Sequence, residues 1–302
     1  MVLEHLFPEG WVESKGSFAL VLGIVYSIVG LLLASVLFPT DPALVALAFT
    51  SMLLLPEMYK LFSIEERQQS MSKNVSVGEL WKDDIEVIRV YIFMFLGIIL
   101  VYSIATIFIP GVEQNPLFKQ QLALRLGDHV ASGAAGHAIS FGSFNSNLFF
   151  DLLSNNFLVL IACFVLALLS GDGAIFLITW NASVWGTIFG LTAKSAAAFS
   201  NQNPLLLFGL IMLIVFPHMI TEAISYFLAA IAGSVISKDV LLEKFASDRF
   251  FDVFSFNLYL LFFALVFVVL GAVIETWVLN NVGLYQEVIK MSTLGLRAAG
   301  LL

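Results

Sequence analysis

Seven apolar runs divide this chain, and most of them are long enough to cross a lipid bilayer. A helix needs about 20 apolar residues to span the hydrocarbon core. Five runs reach that length, namely residues 18–38, 90–109, 174–193, 205–236 and 254–274. The second run, 43–55, spans only if it continues past Pro56 to residue 62, and the fourth, 157–170, is short. The pattern therefore predicts a chain with six or seven transmembrane segments.

Composition indicates the same class of protein. Hydrophobic residues make up 60% of the chain and charged residues 12%, whereas a soluble domain is about half apolar and about a quarter charged. Backbone groups in lipid must be hydrogen-bonded internally, so spans of this length form helices. We expect residues 1–302 to form one integral membrane domain, an all-α polytopic helical bundle whose first partner is the lipid bilayer. The net charge of −8 argues against a nucleic-acid partner.

Two regions outside the apolar runs have an amphipathic pattern. Residues 111–153 are rich in Gly, Ser and Asn, and their flanks at 118–126 and 148–153 place apolar residues at helical spacing. Residues 277–302 show the same spacing. Such segments suit helices that lie in the membrane interface.

Basic residues predict the orientation of the chain. They are more frequent in the connections after the second and sixth runs, where Lys60, Arg67, Lys82, Lys238 and Lys244 lie. Cytoplasmic connections of membrane proteins are enriched in Lys and Arg. We therefore expect a multi-pass protein of the cell membrane with its N-terminus and the 63–86 loop in the cytoplasm, and its C-terminus outside.

A small set of polar residues lies within or at the start of the apolar runs: Asn155, Asn156, Asn181, His218 and Glu222. An ionised side chain in hydrocarbon costs several kcal/mol, so such groups usually face the bundle interior and find partners. His218 and Glu222 are spaced i, i+4 and share a helix face. We expect them to hydrogen-bond each other, with Asn181 and Asn155 or Asn156 completing the network.

Pro217, directly before His218, lacks a backbone donor and crowds the carbonyl of Leu213. A proline in a helix interior produces a kink or a break. The sequence therefore predicts a kink in the sixth segment beside the polar residues.

Three interpretations of the polar residues stay open. They are interhelical hydrogen bonds that determine packing, the lining of a polar cavity or ion path, or part of a metal or catalytic site. Two ligands at i, i+4 make only half of a zinc site. No phosphate-binding glycine loop, GxSxG elbow or HExxH helix is present in the sequence. We therefore predict no cofactor, no metal site and no enzymatic activity.

Small residues mark two helix faces for close packing. Gly186 and Gly190 form a GxxxG motif, and Ser225, Ala229 and Gly233 continue the face of Glu222. Small residues at such spacing allow helices in membranes to approach closely. Because the sequence does not assign both faces to internal contacts, it also predicts self-association, as a dimer.

Two stretches resemble a known family, "NNFLVLIACFVLALLSGDGAIFLITWNASVWG" and "FPHMITEAISYFLAAIAGSVIS". They are similar to the stage II sporulation protein M family over about residues 150–240, a family-like core. The stretch "VLFPTDPALVALAFTSMLLLPEMYKLFSIEER" resembles the N-terminal hairpin of archaeal members. Ala182 and Met219 stand where glycine is usual. The matching positions are Asn155, Asn156, Gly171, Gly173, Asn181, Pro217, His218, Glu222, Ala232 and Gly233.

The resemblance implies a function that the residues alone do not. Sporulation members of this family are membrane scaffolds that hold peptidoglycan-degrading enzymes. The expectation is therefore a non-enzymatic scaffold or organiser of a membrane complex, with membrane-protein partners. The alternatives are a transporter or channel for a solute, and an intramembrane metal-dependent enzyme.

Overall fold

A computed structural model describes residues 16–71, 77–124, 145–242 and 248–302, and this part of the chain is helical, without strands. The helices are α1 (Gly16–Leu37), α2 (Pro42–Met71), α3 (Val77–Phe108), α4 (Ser146–Ser170), α5 (Ala174–Ser200), α6 (Pro204–Leu242), α7 (Asp248–Asn281) and α8 (Gly283–Ala298). Seven of them, α1 to α7, are long and apolar enough to cross a membrane. The predicted all-α polytopic bundle is confirmed.

The two uncertain segments both form full-length helices. The apolar part of α2 extends over Pro42–Tyr59 and passes through Pro56. Helix α4 begins at Ser146, well before the predicted start at residue 157, because the side chain of Asn145 accepts a hydrogen bond from the Leu148 amide at 3.2 Å and caps the helix. The prediction of a separate interfacial helix at 148–153 is therefore wrong.

Helix α7 is longer than its apolar run suggested. The predicted segment ended at residue 274, but the helix and its candidate span continue to Asn281. This extension brings Glu275 into the membrane-spanning part of the chain. The apolar run ends at residue 274 because the carboxyl of Glu275 interrupts it.

Helix α5 is the centre of the bundle. It contacts α2, α3, α4, α6 and α8, and 67% of its most apolar stretch is buried. Helices α2 and α3 both pack against α1 on one side of the molecule, and α4 and α7 pack against α6 on the other. The site described below lies in this second group.

The segments around the bundle pack against it through their apolar faces. Helix α8 is amphipathic, as predicted, and its buried residues Val288, Ser292 and Leu296 face the bundle. The hydroxyls of Ser195 in α5 and Ser292 in α8 are 2.7 Å apart. Phe118, after α3, is fully buried and makes an edge-to-face contact with Tyr102. The rest of the predicted interfacial region, 125–144, lies outside the described residues.

Two helical hairpins extend past the apolar spans. Helix α2 continues from Tyr59 to Met71, which at 1.5 Å per residue adds about 18 Å. Helix α3 begins at Val77, before its span starts at Ile85. The predicted 63–86 loop is therefore helical where the structure describes it. Helices α6 and α7 extend similarly past Ser237 and before Phe254.

Candidate functional site

The most deeply buried acidic side chain of the α4–α6–α7 group is Glu222, which is 2% exposed. Its carboxyl lies within hydrogen-bonding reach of the carboxyl of Glu275 in α7 and of the side chain of Asn156 in α4. Three helices therefore meet at one polar point. A carboxylate only accepts hydrogen bonds, so the contact between two carboxyls requires a proton on one of them.

Gly271 makes the room for this contact. It lies in α7, one turn before Glu275, and faces Glu222 directly. A Cβ atom at position 271 would come within 2.5 Å of the Glu222 Cγ and 3.4 Å of its Oε1. Any larger residue at position 271 would push the Glu222 side chain out of its place.

Asn155 and Asn156 continue the polar group into α4. Asn156 is 7% exposed, and the Asn155 amide donates to its Oδ1 at 3.4 Å. The four side chains Asn155, Asn156, Glu222 and Glu275 thus form one connected chain, which we call the carboxyl–amide cluster. The predicted role of Asn155 or Asn156 as a partner of Glu222 agrees with this geometry.

The predicted hydrogen bond between His218 and Glu222 is not found among the described residues. His218 is buried, but its Nδ1 atom has no hydrogen-bond partner. The i, i+4 spacing places both residues on one face of α6, yet the gap at Gly271 lets Glu222 turn to a partner in the neighbouring helix.

Asn181 does not take part in the cluster. Its amide donates to the Leu177 carbonyl one turn earlier in α5, at 2.8 Å. An Asn within a helix often satisfies its amide on its own backbone in this way. No hydrogen bond from Asn181 to His218 or Glu222 is found among the described residues.

Helix α6 runs through Pro217 without a break. The Thr221 hydroxyl donates to the Pro217 carbonyl at 2.6 Å, one turn later. Leu213, whose carbonyl loses its helical donor, lies on the outer face with 74% of its surface exposed. The helix is therefore not broken at Pro217, and the predicted kink stays a prediction. The proline lies on the exposed side of the helix.

The small residues pack the bundle internally. Gly186 lies against the Ile99 and Tyr102 backbone turn of α3, and the Ser103 hydroxyl donates to the Gly186 carbonyl at 2.9 Å. Gly190 continues the same contact one turn on, against Ser103 and Thr106. On α6, Gly233 lies against the α4 backbone at Phe164, and both Ser225 and Ala229 are fully buried.

Other buried polar groups lie elsewhere. Glu57 in α2, 4% exposed, forms a hydrogen bond with Tyr26 in α1. Asp172, in the turn between α4 and α5, accepts from the Ser234 hydroxyl at 3.4 Å. Within the described ranges, no group of three or more His, Cys, Asp or Glu side chains is arranged to hold a metal ion.

Sequence reasoning missed Glu275 and Gly271. The available signal was their spacing: a glycine followed four residues later by a carboxyl, at the end of a run that continues with apolar residues to Leu279. Extending the seventh run by one turn would have placed a second acid in the membrane.

In a comparison against protein-family models, the stage II sporulation protein M model matches residues 19–278. The chain belongs to the stage II sporulation protein M family. Comparison with curated proteins and with solved structures finds no match. The match covers all seven candidate spans of this stage II sporulation protein M family member, apart from a few residues at each end. The family is not known as an enzyme family.

Proposed function

We propose that this multi-pass protein is a non-enzymatic scaffold that organises a protein complex at the cell membrane. The observation that carries the proposal is the helical hairpin of α2 and α3, which extends about 18 Å past the apolar span on the α2 side. Its sequence from 60 to 84 is rich in charged residues of both signs. A polar hairpin attached to an apolar bundle suits a docking platform for a protein at the membrane surface.

The second hairpin supports the same proposal. Successive spans alternate in direction, so the α2–α3 and α6–α7 connections lie on the same side of the membrane. Both connections are helical extensions, whereas α4 and α5 are joined by the short turn Gly171-Asp172-Gly173. The basic residues of these hairpins favour a cytoplasmic location for that side. A partner would therefore meet two hairpins on the N-terminal side of the membrane.

The cavities among the described residues lie away from the carboxyl–amide cluster. The larger of two described cavities, about 420 Å³, has an apolar lining from α1, α3 and the segment after α3. The smaller one, about 10 Å³, lies beside Glu57. Neither is lined by Asn156, Glu222 or Glu275. This packing favours a structural role for the bundle.

Photo-crosslinking in native membranes tests the scaffold proposal. A photoreactive amino acid at Gln68 or Gln69, in the α2 extension, is compared with one at Leu32 or Leu206, whose side chains are 60% and 65% exposed on apolar helix faces. We expect a discrete heterologous protein adduct from the extension and lipid adducts alone from the controls. The absence of a protein adduct at both extension positions, or the same adducts from all four positions, would contradict a docking role for the hairpin.

A second candidate function is transport of a proton or cation, and the buried carboxyl–amide cluster favours it. Intramembrane carboxyls often mark ion routes. Proteoliposomes with an imposed pH or sodium gradient test this directly. Flux through the wild type that is lost in Glu222→Gln and kept in Glu57→Gln would support transport, whereas equal flux in all three would remove the candidate.

A further inference from the structure

We propose that Glu222 and Glu275 form a proton-binding site in which a shared proton joins α6 to α7. The proposal is compatible with either function above, scaffold or transporter, because it concerns only the protonation state of the two carboxyls. The ligand is the proton itself, and the Asn156 amide of α4 is the third partner.

The contact between the two carboxyls carries the first step. The two carboxyls lie within hydrogen-bonding reach of each other, and Gly271, one turn before Glu275 in α7, lies directly against the Glu222 side chain. Two ionised carboxylates have no donor between them and repel each other strongly in a medium of low dielectric constant. A proton on one of the two carboxyls would therefore convert this contact from a repulsion into a hydrogen bond.

Within the described candidate spans around the pair, no basic side chain offers an alternative to the proton. The candidate spans of α4, α6 and α7 contain no Lys or Arg. Lys194, the basic residue of α5, donates to the Ile109 carbonyl at 2.7 Å and lies 4.0 Å from Glu113. A buried charge without a partner costs several kcal/mol, so a pair that lacks a cation is stabilised by holding a proton.

The second, independent observation is the Oε1 atom of Glu222. It is fully buried and has no hydrogen-bond partner in the described structure. It lies against the gap at Gly271, 3.4 Å from the position that a Cβ would take there. An unpartnered oxygen in an apolar environment costs far less free energy when it belongs to a neutral carboxyl than when it belongs to a carboxylate.

The titratable groups around the pair do not change this result. Tyr226, one turn after Glu222, is fully buried and lies within electrostatic range of both carboxyls and of Cys163 in α4. A phenol and a thiol carry no positive charge in any protonation state. His218, on the same face of α6, can carry one, but its buried Nδ1 has no partner.

Infrared spectroscopy of the purified protein tests the proposal without a reagent that must reach the site. A protonated carboxyl absorbs at a higher carbonyl frequency than a carboxylate. We expect this band at neutral pH in the wild type, and we expect the Glu222→Gln/Glu275→Gln double variant to lose part of it. Glu57→Gln removes another buried acid, the one that contacts Tyr26. It therefore measures how much Glu57 contributes to the same infrared band.

Thermal melts at neutral and alkaline pH give the second measurement. Deprotonation should lower the wild-type Tm as the pH rises, because it converts the hydrogen bond into a repulsion. Glu222→Gln donates from its amide to Glu275 without a proton, so its Tm should change less between the two conditions.

Three results would overturn the proposal. One is an infrared difference between wild type and double variant that contains only carboxylate bands at neutral pH. Another is an equal pH response of wild type and Glu222→Gln. The third is replacement of the protonated band by carboxylate bands on addition of sodium at constant neutral pH, which would identify an alkali-cation site instead.

Discussion

Glu222 of α6 and Glu275 of α7 are joined carboxyl to carboxyl, and Gly271 leaves the space in which the Glu222 side chain lies. The pair is connected through Asn156 to α4, so that one polar point links three of the seven spans. Helix association in lipid lacks the hydrophobic driving force that acts in water. A hydrogen-bonded point of this kind therefore contributes to which faces of these helices meet.

The gap at position 271 predicts a specific suppression. Gly271→Ala places a Cβ against the Glu222 Cγ, and such overpacking costs about 1–3 kcal/mol. In a Glu222→Ala background the Cγ is absent, so the added cost of Gly271→Ala should be small. Thermal melts of the two single variants and the double variant measure the coupling. Equal effects of Gly271→Ala in both backgrounds would show that the contact with Glu222 is not the cause.

The orphaned Nδ1 of His218 predicts a ranking of two leucine substitutions. Glu222→Leu leaves Glu275 and Asn156 without their buried partner, which costs about 1–3 kcal/mol. His218→Leu removes an atom that has no partner, so it should cost less. This ranking is the reverse of the one that a His218–Glu222 pair would give. If His218→Leu lowered the Tm more than Glu222→Leu in the same detergent, the result would support a His218–Glu222 pair instead.

The GxxxG face predicts a position-specific cost for alanine. Gly186→Ala and Gly190→Ala place a Cβ within 2.7 Å of carbonyl oxygens of α3 and should each cost about 1–3 kcal/mol. Gly209 in α6 is the matched control, because a Cβ there meets nothing within 4 Å. Gly209→Ala should leave the Tm unchanged or raise it slightly, since alanine favours helix over glycine. Similar losses at all three positions would argue against internal packing of this face.

Orientation in the membrane is a prediction that cysteine labelling checks. In a Cys163→Ala background, Asp41→Cys and Asn201→Cys should react with an impermeant thiol reagent from outside, since both residues are exposed in the turns after α1 and α5. Ser76→Cys, in the α2–α3 connection, should react only after the membrane is permeabilised. Reaction of all three from one side would contradict an arrangement of seven spans with a cytoplasmic N-terminus.

Self-association as a dimer stays a prediction. The two small-residue faces that suggested it are used by α3–α5 and α4–α6 contacts within one chain, so an interface would have to use another surface. Native mass spectrometry from nanodiscs across a concentration series is the measurement. A dimer should persist on dilution, and it should survive Gly209→Ala. Monomer at every concentration would remove the prediction.

Sequence alone determined the membrane class, the number of spans and the burial of a polar group in the sixth. These follow from local physics, because backbone hydrogen bonding in lipid requires helices and their length is read from the apolar runs. The same reasoning identified Glu222, Asn155 and Asn156 as residues whose burial in the membrane costs free energy unless they have hydrogen-bond partners. It also predicted close packing at Gly186, Gly190 and Gly233.

Tertiary structure decided which partners those residues take. Helical periodicity shows which residues share a face of one helix, and so it paired Glu222 with His218. It contains no information about the helix that lies opposite, and Glu275 and Gly271 belong to the next span along the chain. Small residues likewise indicate that a helix approaches without showing whether it comes from the same chain. The sequence therefore predicted that these polar residues need partners and that these faces pack closely. Only the tertiary arrangement of the helices, such as that of α4, α6 and α7, determined which groups they contact.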